Sequence, residues 1–157
     1  MPLISLETII HADVQIVFDL SRSIDFHKIS TKHTDEEAIA GVTSGLIKLN
    51  ESVTWKAKHF GIYHLLTSKI IEMNQYGSFT DVMVKGIFKR FSHQHVFEKD
   101  RNGTKMFDYF DYTSPLGYFG KVADLMFLKS YMKRFLEKRN QQIKEYAESD
   151  LWKSILE

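Results

Sequence analysis

Apolar and polar residues alternate along most of this chain, and a period of two predicts β-strands. The first such segment covers residues 3–11, with Ile4, Leu6 and Ile10 on one face. The alternation returns after Thr34 in six further segments: 37–39, 53–60, 62–73, 79–85, 90–99 and 104–113. Turn-forming residues, such as the Asn102-Gly103 pair, separate neighbouring segments. Consecutive hairpins therefore predict a mainly antiparallel, meandering sheet of about seven strands.

Helical spacing appears in two parts of the sequence. Asp13 can cap a helix in which Val14, Val17, Phe18 and Ser21 recur on one side, and residues 24–30 indicate a second short helix or an irregular turn. After Gly117 the period becomes 3.6 over about 30 residues, or roughly 45 Å of helix. Its apolar stripe comprises Val122, Leu125, Leu128, Met132, Phe135, Leu136, Ile143 and Ala147.

The order of these elements predicts the fold class. A strand, two short helices, six strands and one long helix indicate an α+β protein in which the last helix packs across a curved antiparallel sheet. No segment of the 157 residues is rich enough in Pro, Gly or Ser to serve as a linker, so we expect a single domain over residues 1–157.

The same order, with several local motifs, resembles the START-related helix-grip superfamily, also called SRPBCC or the polyketide cyclase/dehydrase and lipid transport superfamily. The motifs are Ile10-His11-Ala12-Asp13, Val17-Phe18-Asp19-Leu20, Val53-Thr54-Trp55, Phe79-Thr80-Asp81 and residues 117–128. Many members have Pro where this chain has Asp13, and both residues start helices well. The resemblance covers nearly the whole chain and implies a ligand cavity between sheet and helix. Members carry lipids or hormones, cyclise polyketides or bind partners, so it does not name the ligand.

Composition narrows the possible partners and compartments. With 21 Lys and Arg against 20 Asp and Glu, the net charge of +1 does not favour nucleic acid. The chain has no cysteine, which excludes disulfides and thiolate sites and is compatible with the cytoplasm. An obvious export signal is missing from the N-terminus, and no run of eighteen apolar residues occurs, so we expect no stable membrane insertion.

Strand parity predicts which side chains face the interior. The aromatic-rich parity of four strands contains Trp55, Ala57, His59, Phe79, Asp81, Met83, Phe91, His93, His95, Phe97, Met106, Asp108, Phe110 and Tyr112. The opposite parity contains residues typical of a solvated face, such as Lys56, Lys58 and Gln94. The first set should therefore line the interior of the sheet.

This inward set includes three histidines and two aspartates, which need partners because unpaired buried polar groups cost a few kcal/mol each. His93 and His95 lie on one strand about 6.5 to 7 Å apart, and Asp108 on the next strand could orient either ring. We predict a ligand-binding set that takes in most of these residues. It comprises Trp55, His59, Asp81, Met83, His93, His95, Met106, Asp108, Phe110 and Tyr112.

Three interpretations of the polar cluster remain open at this point. It could be a satisfied structural cluster with buried water, or a recognition set for a hydroxyl, carbonyl or carboxylate of an otherwise apolar ligand. It could also perform acid–base chemistry, with His93, His95 and Asp108 as the catalytic candidates. Two histidines two residues apart are a weak metal signal, so we predict neither a metal nor a cofactor.

Other residues carry weaker signals. The resemblance implies that His27 borders the cavity mouth, and the simpler interpretation of this residue is a packing or exposed role. His11, His33 and His64 are expected to be structural. Met126 is expected in the core. The excess of basic residues in the last helix is expected on a solvated face rather than in contact with anionic lipid. The apolar tail around Trp152 either folds back or meets a partner, so a homodimer is possible.

The sequence thus favours a protein that binds or carries a small hydrophobic or amphipathic ligand, lipid-, polyketide- or aromatic-like, in an internal cavity. One alternative is an enzyme of the cyclase or dehydratase type that uses His93 or His95 with Asp108. Another is a protein-interaction subunit with a collapsed cavity.

Overall fold

The protein is described here by a computed structural model that covers residues 2–157. The strands are β1 (Leu3–Ile10), β2 (Glu37–Gly41), β3 (Ser52–His59), β4 (Ile62–Asn74), β5 (Ser78–Lys85), β6 (Arg90–Asp100) and β7 (Gly103–Thr113). The α-helices are α1 (Val14–Arg22), α2 (Ile24–Ser30), α3 (Gly117–Ala123), α4 (Lys129–Ala147) and α5 (Lys153–Leu156). The predicted order of elements is confirmed.

All seven strands form one antiparallel sheet with the order β1-β7-β6-β5-β4-β3-β2. Each hairpin pairs consecutive strands, and β1 closes the far edge by pairing with β7. Irregularities in register interrupt β2 near Ala38 and β4 at Thr67 and again near Ile70. Because bulges bend a strand and increase its twist, these interruptions help the sheet to curve.

The two short helices are fixed at their N-termini by side-chain caps. The Asp13 carboxylate accepts a hydrogen bond of 2.8 Å from the amide of Gln15, and the Ser23 hydroxyl accepts one of 3.1 Å from the amide of Phe26. Their buried faces join the larger apolar core, and both helices contact α4. They therefore help to hold the last helix over the sheet.

The C-terminal helix is continuous from residue 117 to residue 147, although Asp124–Leu128 form a π-helical turn between α3 and α4. The expected stripe is buried at Leu136, Ile143 and Ala147. The beginning of the stripe is not buried, since Leu125 is 89% exposed. Met126, which was expected in the core, is 74% exposed. The π turn inserts a residue into the helical repeat, and the faces before and after it are no longer aligned.

The parity prediction for the sheet is confirmed by burial. In the inward set His59, Asp81 and Met83 are partly buried and the other members are buried, whereas Lys58 and Gln94 of the opposite parity are exposed. The apolar tail folds back, because Trp152, Ile155 and Leu156 pack against the larger core. None of the helices in residues 2–157 has the length and apolar character needed to cross a membrane.

Candidate functional site

Asp108 lies at the centre of a buried polar cluster between the sheet and α4. Its side chain is fully buried on β7, and Oδ1 accepts a hydrogen bond of 2.9 Å from Nε2 of His93. Oδ2 accepts one of 2.6 Å from Nδ2 of Asn140, and the Arg139 guanidinium lies 3.6 Å from Oδ1. One carboxylate thus ties two strands to the last helix.

His95 extends the cluster across the sheet to β5. Its Nε2 atom is 3.1 Å from Oδ1 of Asp81, and its ring stacks on Phe79 with a centroid separation of 4.2 Å. Nδ1 of His95 lies 3.1 Å from Oδ1 of Asp108 but lacks the alignment of a hydrogen bond. The rings of His93 and His95 are 3.8 Å apart, so the cluster is continuous from β5 to β7.

Electrostatics determine the protonation of His93. Burial raises the pKa of Asp108, but the rings of His93 and His95 outweigh burial and hold it well below its usual range. Burial and then the neighbouring His95 lower the pKa of His93 to about 4. His93 is therefore a neutral imidazole at pH 7. Because an ionised carboxylate can only accept, Nε2 of His93 carries the proton and Nδ1 is left as an acceptor.

The last helix contributes a cation and an amide to this cluster. Arg139 and Asn140 are both buried, and Arg139 also donates to the backbone carbonyl of Ser21 in α1 at 3.1 Å. Burial raises the pKa of Asp81, but the hydrogen bond from His95 and the neighbouring His93 and Arg139 side chains outweigh burial and lower it. Two ionised carboxylates, Asp81 and Asp108, therefore face one guanidinium.

A cavity of about 450 Å³ lies above this cluster. Its walls are mostly apolar and include Trp55, Ala57, Ile70, Phe110, Phe135 and Leu136. Asp81, His93, His95 and Arg139 form a polar floor. The lining also includes the exposed residues Phe60, Leu116 and Phe119, which place the mouth between the β3–β4 hairpin and the start of the last helix.

The structure brings together six of the predicted site residues at the cavity. These are Trp55, His59, Asp81, His93, His95 and Phe110. Asp108 lies behind the two histidines, outside the lining. Met83 packs in the smaller apolar core, Met106 is fully buried against the Ser21 hydroxyl, and Tyr112 donates a hydrogen bond to Asp124 at 2.9 Å.

Several polar residues of the cavity, and Asn140 of the cluster behind it, were not in the predicted site. Arg139 and Asn140 fall at helical spacing with Leu136 and Ile143, so their place in the buried stripe was a usable signal. Glu36 has no such signal because it stands in the turn before β2. His27, for which a packing or exposed role was the simpler interpretation, lines the cavity with Glu36, and so does His64.

Asp81, His93 and His95 also have the composition of a three-ligand metal site. One potential ligand atom from each lies within 4.8 Å of the others. In this structure the Nε2 atoms of both histidines face carboxylates. The observed arrangement is that of a hydrogen-bonded cluster, in which His95 pairs with Asp81 and His93 pairs with Asp108.

Comparison with known proteins identifies the fold. The Thermus thermophilus protein TTHA0849 superposes with a TM-score of 0.76 at 18% identity, over 93% of this chain and 97% of that one. Ginseng major latex-like protein 151 from Panax ginseng gives 0.68 at 16% identity, with the same coverage. The chain has the helix-grip fold.

A third helix-grip structure is the di-domain ARO/CYC protein StfQ from the steffimycin biosynthetic pathway. It gives a TM-score of 0.73 at 12% identity, over 93% of this chain and 50% of StfQ. No family model matches the sequence, and neither does any curated protein. At these identities the structural likeness establishes the helix-grip fold and leaves function to the site.

Proposed function

We propose that this protein binds a small hydrophobic or amphipathic ligand in the cavity between its sheet and its last helix. The observation that carries the proposal is a cavity of about 450 Å³ with mostly apolar walls and a polar floor. Small-ligand pockets usually measure about 300 to 1,000 Å³ and combine apolar walls with a few placed polar groups. The open volume does not support a protein-interaction subunit with a collapsed cavity.

The charge of the floor indicates which polar group the ligand carries at that end. Asp81 and Asp108 supply two negative charges, Arg139 supplies one positive charge, and His93 is neutral at pH 7. The two carboxylates balance or outweigh the positive charges of the floor, so the floor has no excess positive charge with which to bind a carboxylate. A neutral hydroxyl or carbonyl group suits it better, with Arg139 as a donor and Nδ1 of His93 as an acceptor.

An acid–base enzyme of the cyclase or dehydratase type is the second candidate. The hydrogen-bonded pair of His93 and Asp108 beside the cavity favours it, and one structure of the same fold is an ARO/CYC protein. A neutral His93 has no imidazolium proton to donate at pH 7, so its Nδ1 atom could act only as a base. If the protein is an enzyme, the His93→Gln variant should bind the ligand within about twofold of the wild-type affinity but should no longer turn it over.

Displacement of a neutral fluorescent probe tests the binding proposal. N-phenylnaphthylamine should bind the wild-type protein, and decanol should displace it, since each buried methylene contributes about 0.8 kcal/mol. Ala57→Leu places a larger side chain in the cavity and should weaken both ligands at least about tenfold. The control, Ala40→Leu, changes an exposed alanine of β2 and should bind like the wild type.

Failure of the probe to bind the folded wild-type protein would contradict the proposal. Equal losses in Ala57→Leu and Ala40→Leu would contradict it as well. Circular dichroism of both variants shows whether they are folded.

Three further features belong to the proposal. A single domain over residues 1–157 fits the one sheet that all strands join. A cytoplasmic location is compatible with the lack of cysteine. A homodimer stays possible, although the apolar tail that first indicated it packs on its own core.

A further inference from the structure

A second polar cluster lines the same cavity, away from the floor. Its centre is Glu36, which follows Asp35 in a left-handed conformation (φ 50°) and precedes β2. His27 of α2 and His59 of β3 also line this part of the cavity. A hydrogen bond of 2.7 Å joins Nδ1 of His59 to the hydroxyl of Tyr131 on α4.

Glu36 is a buried carboxylate with unused hydrogen-bonding capacity. Its side chain is only 9% exposed, and its Oε2 atom has no hydrogen-bond partner in the described part of the chain. Nε2 of His27 lies 3.3 Å from Oε1 without the alignment of a hydrogen bond, and it has no other partner there. Because a buried polar atom without a partner costs about 1 to 3 kcal/mol, this pair is suited to a ligand group.

The carboxylate of Glu36 is ionised. Burial raises its pKa, but the charge of the nearby His27 outweighs burial and lowers it. Burial lowers the pKa values of His59 and His33, which favours their uncharged forms. Glu36 also borders a surface depression outside the cavity, whose lining combines three lysines with the acidic residues Asp35 and Glu37.

The two polar ends of the cavity are far apart. The floor lies on β5, β6 and β7, whereas His59 is on β3, three strands from β6, which corresponds to about 14 Å at the usual strand spacing. On the last helix, Arg139 marks the floor and Tyr131 marks the other end, a separation of about 12 Å at 1.5 Å per residue.

We propose that Glu36 binds an amine at the outer end of the ligand, so that the ligand has a cationic nitrogen roughly 12 to 15 Å from the group held at the floor. An ammonium ion donates hydrogen bonds, and it would give the buried Oε2 atom of this ionised carboxylate, which lies beside the oxygen that faces His27, a charge-assisted partner. This inference rests on the proposed function, since it concerns one end of the same cavity.

The floor is a weaker site for the amine than Glu36. Both oxygens of Asp108 already accept hydrogen bonds, from His93 and from Asn140. Oδ1 of Asp81 faces His95, and Arg139 repels a second cation. The Oε2 atom of Glu36, by contrast, is buried without a hydrogen-bond partner in the described part of the chain.

Competition between two matched alcohols tests the proposal. Decanol and the aminodecanol with its amine at the far end are each titrated against bound N-phenylnaphthylamine. Wild-type protein should prefer the amine at least about tenfold, as expected for a buried charge-assisted contact. Glu36→Gln should abolish the preference, measured as the ratio of the two affinities in the same variant, whereas the exposed Glu37→Gln should keep it.

Each outcome bears on a different statement. Equal affinities for the two alcohols in the wild type, or a preference that survives in Glu36→Gln, would overturn the role of Glu36 and leave the binding function intact. If the preference disappears only in Asp81→Asn, the amine lies at the floor and the proposal is wrong. If neither alcohol displaces the probe, the proposed function fails and the amine site fails with it.

Discussion

His93 lies in a buried environment that differs strongly from water. Its side chain is 9% exposed, its ring touches that of His95 and donates to Asp108, and its pKa falls from 6.5 to about 4. Between these two pH values the unfolded chain binds a proton that the folded protein does not bind. Acid therefore destabilises the fold over this range, and the free energy of unfolding rises as pH rises.

We predict that the wild-type protein loses on the order of 3 kcal/mol through His93 as the pH falls from 7 toward 4. His93→Gln should flatten this dependence, because the amide does not titrate and can still donate to Asp108. Urea unfolding between pH 7 and pH 4.5 measures the slope, and the lower limit of this range avoids the titration of Asp108, whose pKa lies below its usual range. The exposed His11→Gln is the control. Parallel slopes for His93→Gln and the wild type would contradict a neutral buried His93.

Part of the site could be predicted at the residue scale. Alternation along β3, β5, β6 and β7 placed His59, Asp81, His93 and His95 on one face, because strand geometry allows only two faces. The partners Arg139 and Glu36 come from other elements, far away in sequence from the strands they approach. A period cannot show that an arginine 31 residues after Asp108 meets its carboxylate, since that depends on how the helix crosses the sheet.

The last helix has two parts that differ in what they contact. From Leu136 onward its stripe packs on the sheet and on the short helices, whereas residues 116–127 carry several exposed apolar side chains. Asp124 in the π turn accepts hydrogen bonds from Tyr112 and Ser114, which fixes the start of the helix to the end of β7. The exposed part forms one side of the cavity mouth.

Two leucines on this helix should respond very differently to truncation. Leu136 is 4% exposed and Leu125 is 89% exposed. Leu136→Ala should destabilise the protein by about 2 to 4 kcal/mol, because it removes buried methyl groups, and Leu125→Ala should change stability by less than about 0.5 kcal/mol. Urea unfolding of both variants at pH 7 measures the difference. Similar losses would show that the helix buries its stripe without interruption across the π turn.

The elements themselves were largely predictable from the sequence. The period-two segments became β2 to β7 with bounds shifted by at most two residues, and Asp13 caps α1 as its position predicted. The π turn was not predictable, because residues 122–128 continue an unbroken apolar spacing. Its position depends on contacts of Asp124 with the end of β7, which local sequence does not encode.

At the scale of the whole molecule, the curved sheet and the last helix enclose a space with two chemically different ends. The floor carries His93, His95 and Asp81, and the outer end carries Glu36 and His59. Apolar walls join them, so hydrophobic burial would provide affinity and the two ends would set orientation. The fold was predictable because the order of elements is unusual, whereas the cavity volume depends on packing that no pattern reveals.

Whether a ligand enters this space is the central question, and NMR of the protein with bound decanol answers it most directly. The enclosure of a ligand predicts intermolecular NOEs from decanol to the methyl groups of Ala57, Ile70 and Leu136, which line the cavity. The exposed methyl groups of Leu125 are the internal reference, and they should show none. NOEs to Leu125 without any to Ala57, Ile70 and Leu136 would place decanol on the surface and contradict the account.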